Sequence, residues 1–203
     1  KTAYDSMPSL GGSERFIRDR MEVEEETGRG KAKKAILDTR FNAYLPEGEN
    51  LVMLPRTSDG QLLFLLNNIS KMKKETTLGS RIAEVHNGSS LFTGDAGSGE
   101  SNARRYMIEH DLVEAIIALP ENMFYNTGIG TYIWILSNRK EDRRKGKIQL
   151  IDATGMKSPL RKNMGKKNCE FTDEIRAEIM RIFMEMEESE VSRIFNNEEF
   201  GYW

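Results

Sequence analysis

Cysteine and histidine are scarce in this 203-residue sequence, which contains one cysteine, Cys169, and two histidines, His86 and His110. A single cysteine excludes an intrachain disulfide and a cysteine-based zinc site. With so few thiolate and imidazole ligands, we predict no metal site. We interpret both histidines as structural, because neither has an acidic or hydroxyl neighbour at a telling spacing. Cys169 has no recognisable base beside it, so a nucleophilic role for it is weakly supported.

Long apolar runs are also absent. Runs such as those at residues 115–119 and 133–136 stop within the length of a strand, whereas a membrane helix needs about 20 apolar residues. This excludes an integral membrane protein, and we expect no membrane partner. The chain begins at Lys1 with neither an initiator methionine nor a signal-peptide region. We therefore expect a cytoplasmic protein that is a piece of a longer chain.

Charge is balanced overall but unevenly distributed along the chain. The formal net charge is −2, yet residues 139–167 contain eleven basic and three acidic residues, and residues 170–203 contain three basic and ten acidic ones. Such blocks form either a phosphate-facing surface beside a partner-facing helix or two solvated faces that partly neutralise each other. Charge alone favours the second alternative.

Hydrophobic periodicity predicts an alternation of helices and strands. Predicted helices cover residues 61–73, 100–110 and 173–188, and predicted strands cover residues 81–86, 112–119, 131–137 and 147–152. This order predicts an α/β fold whose sheet is mostly parallel and ends in an antiparallel hairpin. We predict an irregular, partly mobile leading segment at residues 1–56. An α/β unit follows at 57–168, and an amphipathic helix with a connecting tail at 169–203.

Two loops are candidates for chemistry. Residues 94–99 form a glycine-rich loop before a helix, which is able to cradle a phosphate. No Gly-Lys-Ser/Thr follows it, so we favour a plain connector. The loop after Pro120 contains Phe124 and Tyr125, which are able to stack on a planar base, followed by Asn126 and Thr127, which are able to hydrogen-bond a base edge or a phosphate. The alternative, equally supported by the pattern, is that one aromatic side chain anchors the loop in the core.

Three blocks of sequence closely resemble a known family. They are Ser58-Asp59-Gly60-Gln61-Leu62-Leu63-Phe64 with Gly79-Ser80-Arg81-Ile82-Ala83; Asn87-Gly88-Ser89-Ser90-Leu91-Phe92 with Gly99-Glu100-Ser101 and Arg104-Arg105; and Ile116-Ile117-Ala118-Leu119-Pro120 with Phe124-Tyr125-Asn126-Thr127-Gly128-Ile129 and Ile133-Trp134-Ile135-Leu136. In this order they are similar to the modification subunit of type I restriction–modification systems. That family consists of adenine-specific DNA N6-methyltransferases that use S-adenosylmethionine.

The resemblance implies only part of such an enzyme. The family holds its target adenine with an Asn-Pro-Pro-Phe/Tyr motif and binds its cofactor with a glycine-rich loop after the first strand, whereas this chain has no Pro-Pro. It looks like the later half of a Rossmann-like methyltransferase sheet, following that motif. We therefore expect no catalytic residue in this chain and no tight cofactor binding, and we expect the chain alone to be inactive.

The same resemblance implies roles for particular residues. Phe124 lies where the family is expected to place the aromatic residue that packs on the extruded adenine, with Tyr125 as its substitute, and Asn126 and Thr127 would line the mouth of that pocket. The residues that would face DNA phosphates are Arg139, Lys140, Arg143, Arg144 and Lys162.

The implied partners are double-stranded DNA, the specificity and restriction subunits of a type I complex, and the missing N-terminal half of the same domain. A rival hypothesis is a non-enzymatic assembly or docking module, left from a split or truncated subunit, in which the acidic helix at 173–188 packs on a partner. A weaker third is a nucleotide-phosphate binder that uses the loop at residues 94–99.

Overall fold

The computed structural model describes residues 22–27, 30–35, 39–56 and 60–201. Its strands are β1 (Glu22–Thr27), β2 (Gly30–Ala35), β3 (Asn42–Tyr44), β4 (Asn50–Val52), β5 (Arg81–Asn87), β6 (Val113–Leu119), β7 (Thr131–Ser137), β8 (Lys147–Asp152), β9 (Ser158–Met164), β10 (Lys167–Glu170) and β11 (Ser192–Asn196). Its α-helices are α1 (Gly60–Ser70), α2 (Ser89–Phe92), α3 (Gly99–Glu109) and α4 (Asp173–Glu185). Short 3-10 segments lie at Thr39–Phe41, Asp142–Arg144 and Asn197–Phe200.

A five-stranded mixed sheet in the order β11-β8-β6-β7-β5 forms the centre of the molecule. The α/β class is confirmed, but the expectation of mostly parallel pairing is wrong, because only β6 and β8 pair in parallel. Parallel neighbours need a long crossover, usually a helix. The chain has such a crossover between β5 and β6, through α2 and α3. No helix separates β6 from β7, so the chain turns back and β7 lies antiparallel to both β5 and β6.

Two apolar layers cover the sheet. On one face α1 and α3 pack against Trp134 and Leu136 of β7, and Phe41 and Met53 from the leading segment join the same core. On the other face α4 packs through Ile179, Ile182 and Phe183 on the inward side chains of β6, β7 and β8. These side chains recur at helical spacing in the sequence, which is why α4 was predictable.

The edge strand β5 is less well covered than its neighbours. None of its residues belongs to the core under α4, and Val85 is 48% exposed. Its inner edge pairs with β7 from Arg81 to Asn87, and no described strand pairs with its outer edge.

Within the described residues, no helix is long and apolar enough to cross a bilayer.

Several elements were not predicted from the sequence. The leading segment, predicted to be irregular, contains the hairpins β1–β2 and β3–β4. Strands β1 and β2 consist mainly of charged residues, with Glu24 opposite Lys33 and Glu26 opposite Lys31, so no apolar alternation reveals them. The β9–β10 hairpin and the edge strand β11 were also missed. The residues Ser58-Asp59-Gly60-Gln61 are typical of a helix capping box, but Ser58 and Asp59 lie outside the described residues.

The glycine-rich loop at residues 94–99 serves as a connector into α3. The Ser98 hydroxyl caps the helix by accepting a hydrogen bond from the Ser101 N–H at 3.4 Å. A Cβ atom on Gly99 would collide with the Leu54 carbonyl oxygen, so α3 begins in contact with the preceding loop. The Glu100 carboxylate accepts hydrogen bonds from the backbone N–H and the Nε of Arg56 at 3.1 and 2.9 Å. The protein's own groups therefore occupy the anion position at this helix end.

Glu100 is a test of how this junction is held. The carboxylate is almost fully buried, and burial alone would raise its pKa, but the hydrogen bonds from the Arg56 and Glu100 backbone N–H groups and from the Arg56 guanidinium hold the pKa below its ordinary value. Because the folded-state pKa is depressed, this stabilisation is complete above about pH 4.3 and is lost as the pH falls through the folded-state pKa. Glu100→Gln should lower the free energy of unfolding at pH 7 by about 1.5–3 kcal/mol.

Urea denaturation at pH 7 and at pH 3–4 measures this effect. The loss of stability on acidification should be smaller in Glu100→Gln than in the parent chain. Glu47→Gln, at an exposed carboxylate, is the matched control and should behave as the parent. Equal free energies of unfolding in the two variants at pH 7 would contradict the assignment.

Candidate functional site

The candidate site is the loop at residues 120–130, which joins β6 to β7 and lies at the carboxyl end of β6. Phe124 and Thr127 form an isolated antiparallel bridge, and the Thr127 hydroxyl accepts a hydrogen bond from the Ile129 N–H at 3.3 Å. Phe124 is 37% exposed, Tyr125 is 55% exposed and Asn126 is exposed. Neither aromatic residue belongs to a core cluster, so the alternative that one anchors the loop in the core is wrong.

The backbone of this loop is held by the β9–β10 hairpin. The Lys166 N–H donates to the Tyr125 carbonyl at 2.9 Å, and the Asn168 N–H donates to the Asn122 carbonyl at 3.1 Å. The buried Cys169 thiol lies 3.4 Å from the Glu121 carbonyl oxygen, so its surroundings are structural. The loop therefore presents its side chains from a fixed backbone.

The turn of the hairpin fits closely against the loop. Gly165 has a φ of +62°, and a Cβ atom there would lie 2.7 Å from the Tyr125 carbonyl oxygen. Glycine is therefore required both for the backbone conformation and for the close approach.

Side chains of the hairpin surround Tyr125. The Met164 sulfur lies 3.8 Å from the Tyr125 hydroxyl, and the Lys167 ammonium lies 5.6 Å from the centre of its ring. These contacts leave more than half of Tyr125 exposed. Met164, Lys166 and Lys167 are site residues that the sequence analysis missed, because about 40 residues separate them from the loop. The Gly165-Lys166 turn was the available signal, but nothing in the sequence indicated where it docks.

Lys140 and Arg144 were predicted to face DNA phosphates, and the structure corrects this prediction because both are buried. The Lys140 ammonium pairs with Asp111 at 2.5 Å and donates to the Lys147 carbonyl at 2.9 Å. Burial lowers the pKa of Lys140, although Asp111 opposes this. An ammonium group so enclosed has no free face for a phosphate.

Arg144 satisfies the carboxyl end of α4. Its guanidinium donates to the Phe183 carbonyl and to Gln149 Oε1, the latter at 3.3 Å, and lies 4.3 Å from the centre of the Phe183 ring. Gln149 in turn donates to the Ile182 carbonyl at 3.0 Å, and Arg143 donates to the Met184 carbonyl at 2.6 Å. The last carbonyls of a helix lack intrahelical partners and attract cations, which explains this cluster of arginines.

The remaining predicted phosphate contacts lie at two ends of the sheet. Arg139 and Arg143 are exposed and lie beyond the end of β7. The loop at residues 120–130, which we call the aromatic loop, precedes the start of that strand. A seven-residue strand spans about 20 Å, so these two arginines are far from the loop. Lys162, on the β9–β10 hairpin, is exposed at the same end as the loop. The structure thus groups Lys162 with Phe124 and Tyr125, and their roles with DNA stay predictions.

An apolar groove of about 650 Å³ lies elsewhere on the molecule. Trp134, Ile116, Leu150, Phe195 and Phe200 line it, among other residues. None of the four predicted residues at 124–127 lines this groove, so it is separate from the aromatic loop.

The described residues form no metal centre, and the glycine-rich loop before α3 is not a cofactor site. No group of three or more histidine, cysteine, aspartate or glutamate side chains is arranged to hold a metal ion in this part of the chain. The glycine-rich loop at residues 94–99 does not fit a nucleoside cofactor, because Ser98 and Glu100 already occupy the helix end that follows it.

A family model described as N-6 DNA Methylase matches residues 30–200, which is most of the chain. This chain belongs to the N-6 DNA methylase family. The match covers the central sheet, the aromatic loop and the β9–β10 hairpin.

Similar curated proteins are methylase subunits of type I restriction enzymes. The MjaVIII methylase subunit of Methanocaldococcus jannaschii is 29% identical over 157 residues, covering 75% of this chain and 27% of that protein. The HindI methylase subunit of Haemophilus influenzae is 44% identical over 54 residues, covering 27% of this chain and 12% of that protein. This N-6 DNA methylase chain therefore spans about a quarter or less of the length of these relatives.

Solved structures agree with this relationship. The methyltransferase subunit of the type I restriction–modification system from Streptococcus thermophilus superimposes with a TM-score of 0.59 at 26% identity, covering 72% of this chain and 28% of that one. A modification subunit of a putative type I restriction enzyme from Vibrio vulnificus gives a TM-score of 0.54 at 16% identity, which shows the shared fold alone. The resemblance to type I modification subunits and the predicted fold class are confirmed.

Replacing Arg144 tests its structural role. Arg144→Met should lower the free energy of unfolding by about 3 kcal/mol, because the carbonyls at the end of α4 and the Gln149 amide lose a buried partner. Urea denaturation measures this loss. Lys145→Met, which removes an exposed cation paired only with Asp142, is the control and should cost less than about 1 kcal/mol. Equal stabilities of the two variants would return Arg144 to the set of candidate phosphate ligands.

Proposed function

We propose that this chain is the part of a type I modification subunit that follows the motif holding the target adenine. The complete protein then transfers a methyl group from S-adenosylmethionine to adenine N6 in DNA. The observation that carries this proposal is the exposed aromatic loop at the carboxyl end of β6, held by backbone hydrogen bonds within a chain of the N-6 DNA methylase family. Loops at this end of an α/β sheet are where such folds bind their ligands.

The aromatic loop supplies one wall of a base pocket. A base within a duplex is inaccessible to chemistry, so an enzyme that modifies it must extrude it and stack it on aromatic side chains. Phe124, or Tyr125 in its place, offers a ring for this stacking, and Asn126 and Thr127 offer polar groups at the pocket mouth. Each ring is partly free of protein contacts, which a stacking role requires.

The groups that activate the adenine amine come from elsewhere in this proposal. The exocyclic N6 is a poor nucleophile until hydrogen-bond acceptors hold its two hydrogens. The Asn-Pro-Pro-Phe/Tyr motif that would supply these acceptors is absent from this sequence, which contains no Pro-Pro. S-adenosylmethionine would be the methyl donor, and a preceding part of the domain would bind it. The uncovered outer edge of β5 is a suitable attachment for that part, because it presents unpaired backbone groups.

The remaining partners follow from this proposal. Double-stranded DNA is the substrate, and the specificity and restriction subunits of a type I complex are the protein partners, in the cytoplasm. The relatives' names as methylase subunits support this hypothesis over a non-enzymatic docking module.

Removing the stacking ring tests the base pocket. In the complete subunit, Phe124→Ala should reduce kcat/KM for methyl transfer about 5- to 160-fold, because base–aromatic stacking contributes about 1–3 kcal/mol. Phe124→Tyr should restore most of the activity. Tyr44→Ala removes an aromatic side chain that is 68% exposed in β3 and is the control, with unchanged activity expected. If Phe124→Ala is fully active and Tyr125→Ala is not, Tyr125 is the stacking residue; full activity in both variants would contradict the pocket.

The 203-residue chain alone should transfer no methyl groups to DNA. Incorporation from labelled S-adenosylmethionine into a duplex measures this directly. Co-expression with the preceding part of the domain should restore transfer. Methyl incorporation by the isolated chain would contradict the proposal that the groups for cofactor binding and amine activation lie outside these 203 residues.

A further inference from the structure

The β9–β10 hairpin and the residue before it form a strongly basic segment with a net charge of +4. We call residues 157–170 the cationic hairpin. It contains five basic residues and one acidic residue, Glu170. The five basic residues are Lys157, Arg161, Lys162, Lys166 and Lys167.

Most of the other basic residues of the 139–167 block contact a carboxylate or carbonyl oxygen of the protein through their side chains, whereas the cations of the hairpin make no such contact with the described residues. Lys140, Arg143 and Lys145 each pair with a carboxylate. Within the described part of the chain, by contrast, no cation of the cationic hairpin has an ion pair, and the side chains of Lys157, Arg161, Lys162 and Lys166 are exposed. Lys167 contacts only the face of the Tyr125 ring.

This arrangement is unfavourable for a hairpin in isolation. A two-stranded hairpin is marginally stable in water, and unpaired like charges on it repel one another. Strand alternation places Arg161 and Lys162 on opposite faces of β9, so the positive potential surrounds the ribbon. A polyanion that contacts several of these cations would relieve the repulsion.

The cationic hairpin is also the element that holds the aromatic loop. Its backbone donates to the Tyr125 and Asn122 carbonyls, and its turn fits against Tyr125 through Gly165. Anything that binds the cationic hairpin therefore lies beside Phe124 and Tyr125 and acts on the backbone that positions them.

We propose that the cationic hairpin binds the phosphates of duplex DNA next to the extruded adenine and thereby positions the aromatic loop on that base. The proposal rests on the proposed function and adds a phosphate-binding surface with its own residues: Lys157, Arg161 and Lys166 join Lys162, and Lys167 orients Tyr125. Phosphate contacts fix the register of a protein on DNA, and base contacts then act at a defined place. In this proposal the cationic hairpin supplies the phosphate contacts, and the aromatic loop supplies the base contact.

The salt dependence of DNA binding tests the phosphate contacts. In the complete modification complex, the double variant Arg161→Gln/Lys162→Gln should reduce the slope of log K against log salt by about 1.8, since each lost phosphate contact removes about 0.9. The control Lys145→Gln/Arg176→Gln removes the same charge from exposed cations that are paired with Asp142 and Asp173, and should leave the slope unchanged. Equal slopes in the two double variants would overturn the proposal. The proposal would also be overturned if Arg161→Gln/Lys162→Gln reduced the salt slope for binding single-stranded RNA but left the slope for duplex DNA unchanged.

A second variant separates positioning from charge. Gly165→Ala should disturb the fit of the hairpin against Tyr125 while keeping every charge, so the salt slope should be unchanged. The fluorescence of 2-aminopurine at the target position, which reports base extrusion, should fall. Unchanged fluorescence would overturn the positioning role.

These readouts also distinguish this proposal from the proposed function. The salt slope reports phosphate binding whether or not methyl transfer occurs. If Arg161→Gln/Lys162→Gln changes the salt slope while Phe124→Ala and Tyr125→Ala are fully active, the phosphate surface is retained and the base pocket is rejected. If the double variant leaves the salt slope unchanged while Phe124→Ala is inactive, the base pocket is retained and the phosphate surface is rejected. Urea denaturation should show that the exposed-residue variants are as stable as the parent.

Discussion

The reversal of the chain after β6 is the constraint on which the rest of this structure depends. No helix separates β6 from β7, so β7 is antiparallel to the strands on both sides of it. The loop that makes this reversal is therefore fixed at the carboxyl ends of β6 and β8. The chain leaves β8 at the same end and forms the β9–β10 hairpin there, which is why a hairpin about 40 residues away in sequence holds the aromatic loop.

The basic block shows how residues of one charge divide between two tasks. Arg143 and Arg144 bind the carbonyls that end α4, and Lys140 binds Asp111, so the first half of the block stabilises the fold. The second half, on the β9–β10 hairpin, is exposed. A count of charged residues cannot distinguish the two halves, because the sequence alone does not show whether a basic side chain is buried or paired. Burial and partner distances separate the two halves, and we propose nucleic-acid contact for the second half.

The sequence was informative wherever apolar residues recur with a period. Helix α4 and strands β6, β7 and β8 were predicted close to their observed bounds because their inward side chains follow helical or strand spacing. The hairpins β1–β2 and β9–β10 were missed because their sequences are polar and show no apolar alternation. The loop residues Phe124 to Thr127 were identified from their chemistry and from family resemblance. Their partners Met164 and Lys167 were not, because no local pattern records a contact between distant segments.

The bare outer edge of β5 has a consequence for handling this protein. Ala83 and Val85 lie on the less covered face of that strand, and no described strand pairs with its outer edge, although Asn87 at its end is hydrogen-bonded to Gln61 and Ser90. Such an edge is a template for another strand, including β5 of a second copy. Arg81 and Glu84 place charges along it, which limits but does not abolish self-pairing. Concentrated preparations of this chain alone are therefore prone to edge-to-edge association, and any strand that paired with this edge would suppress it.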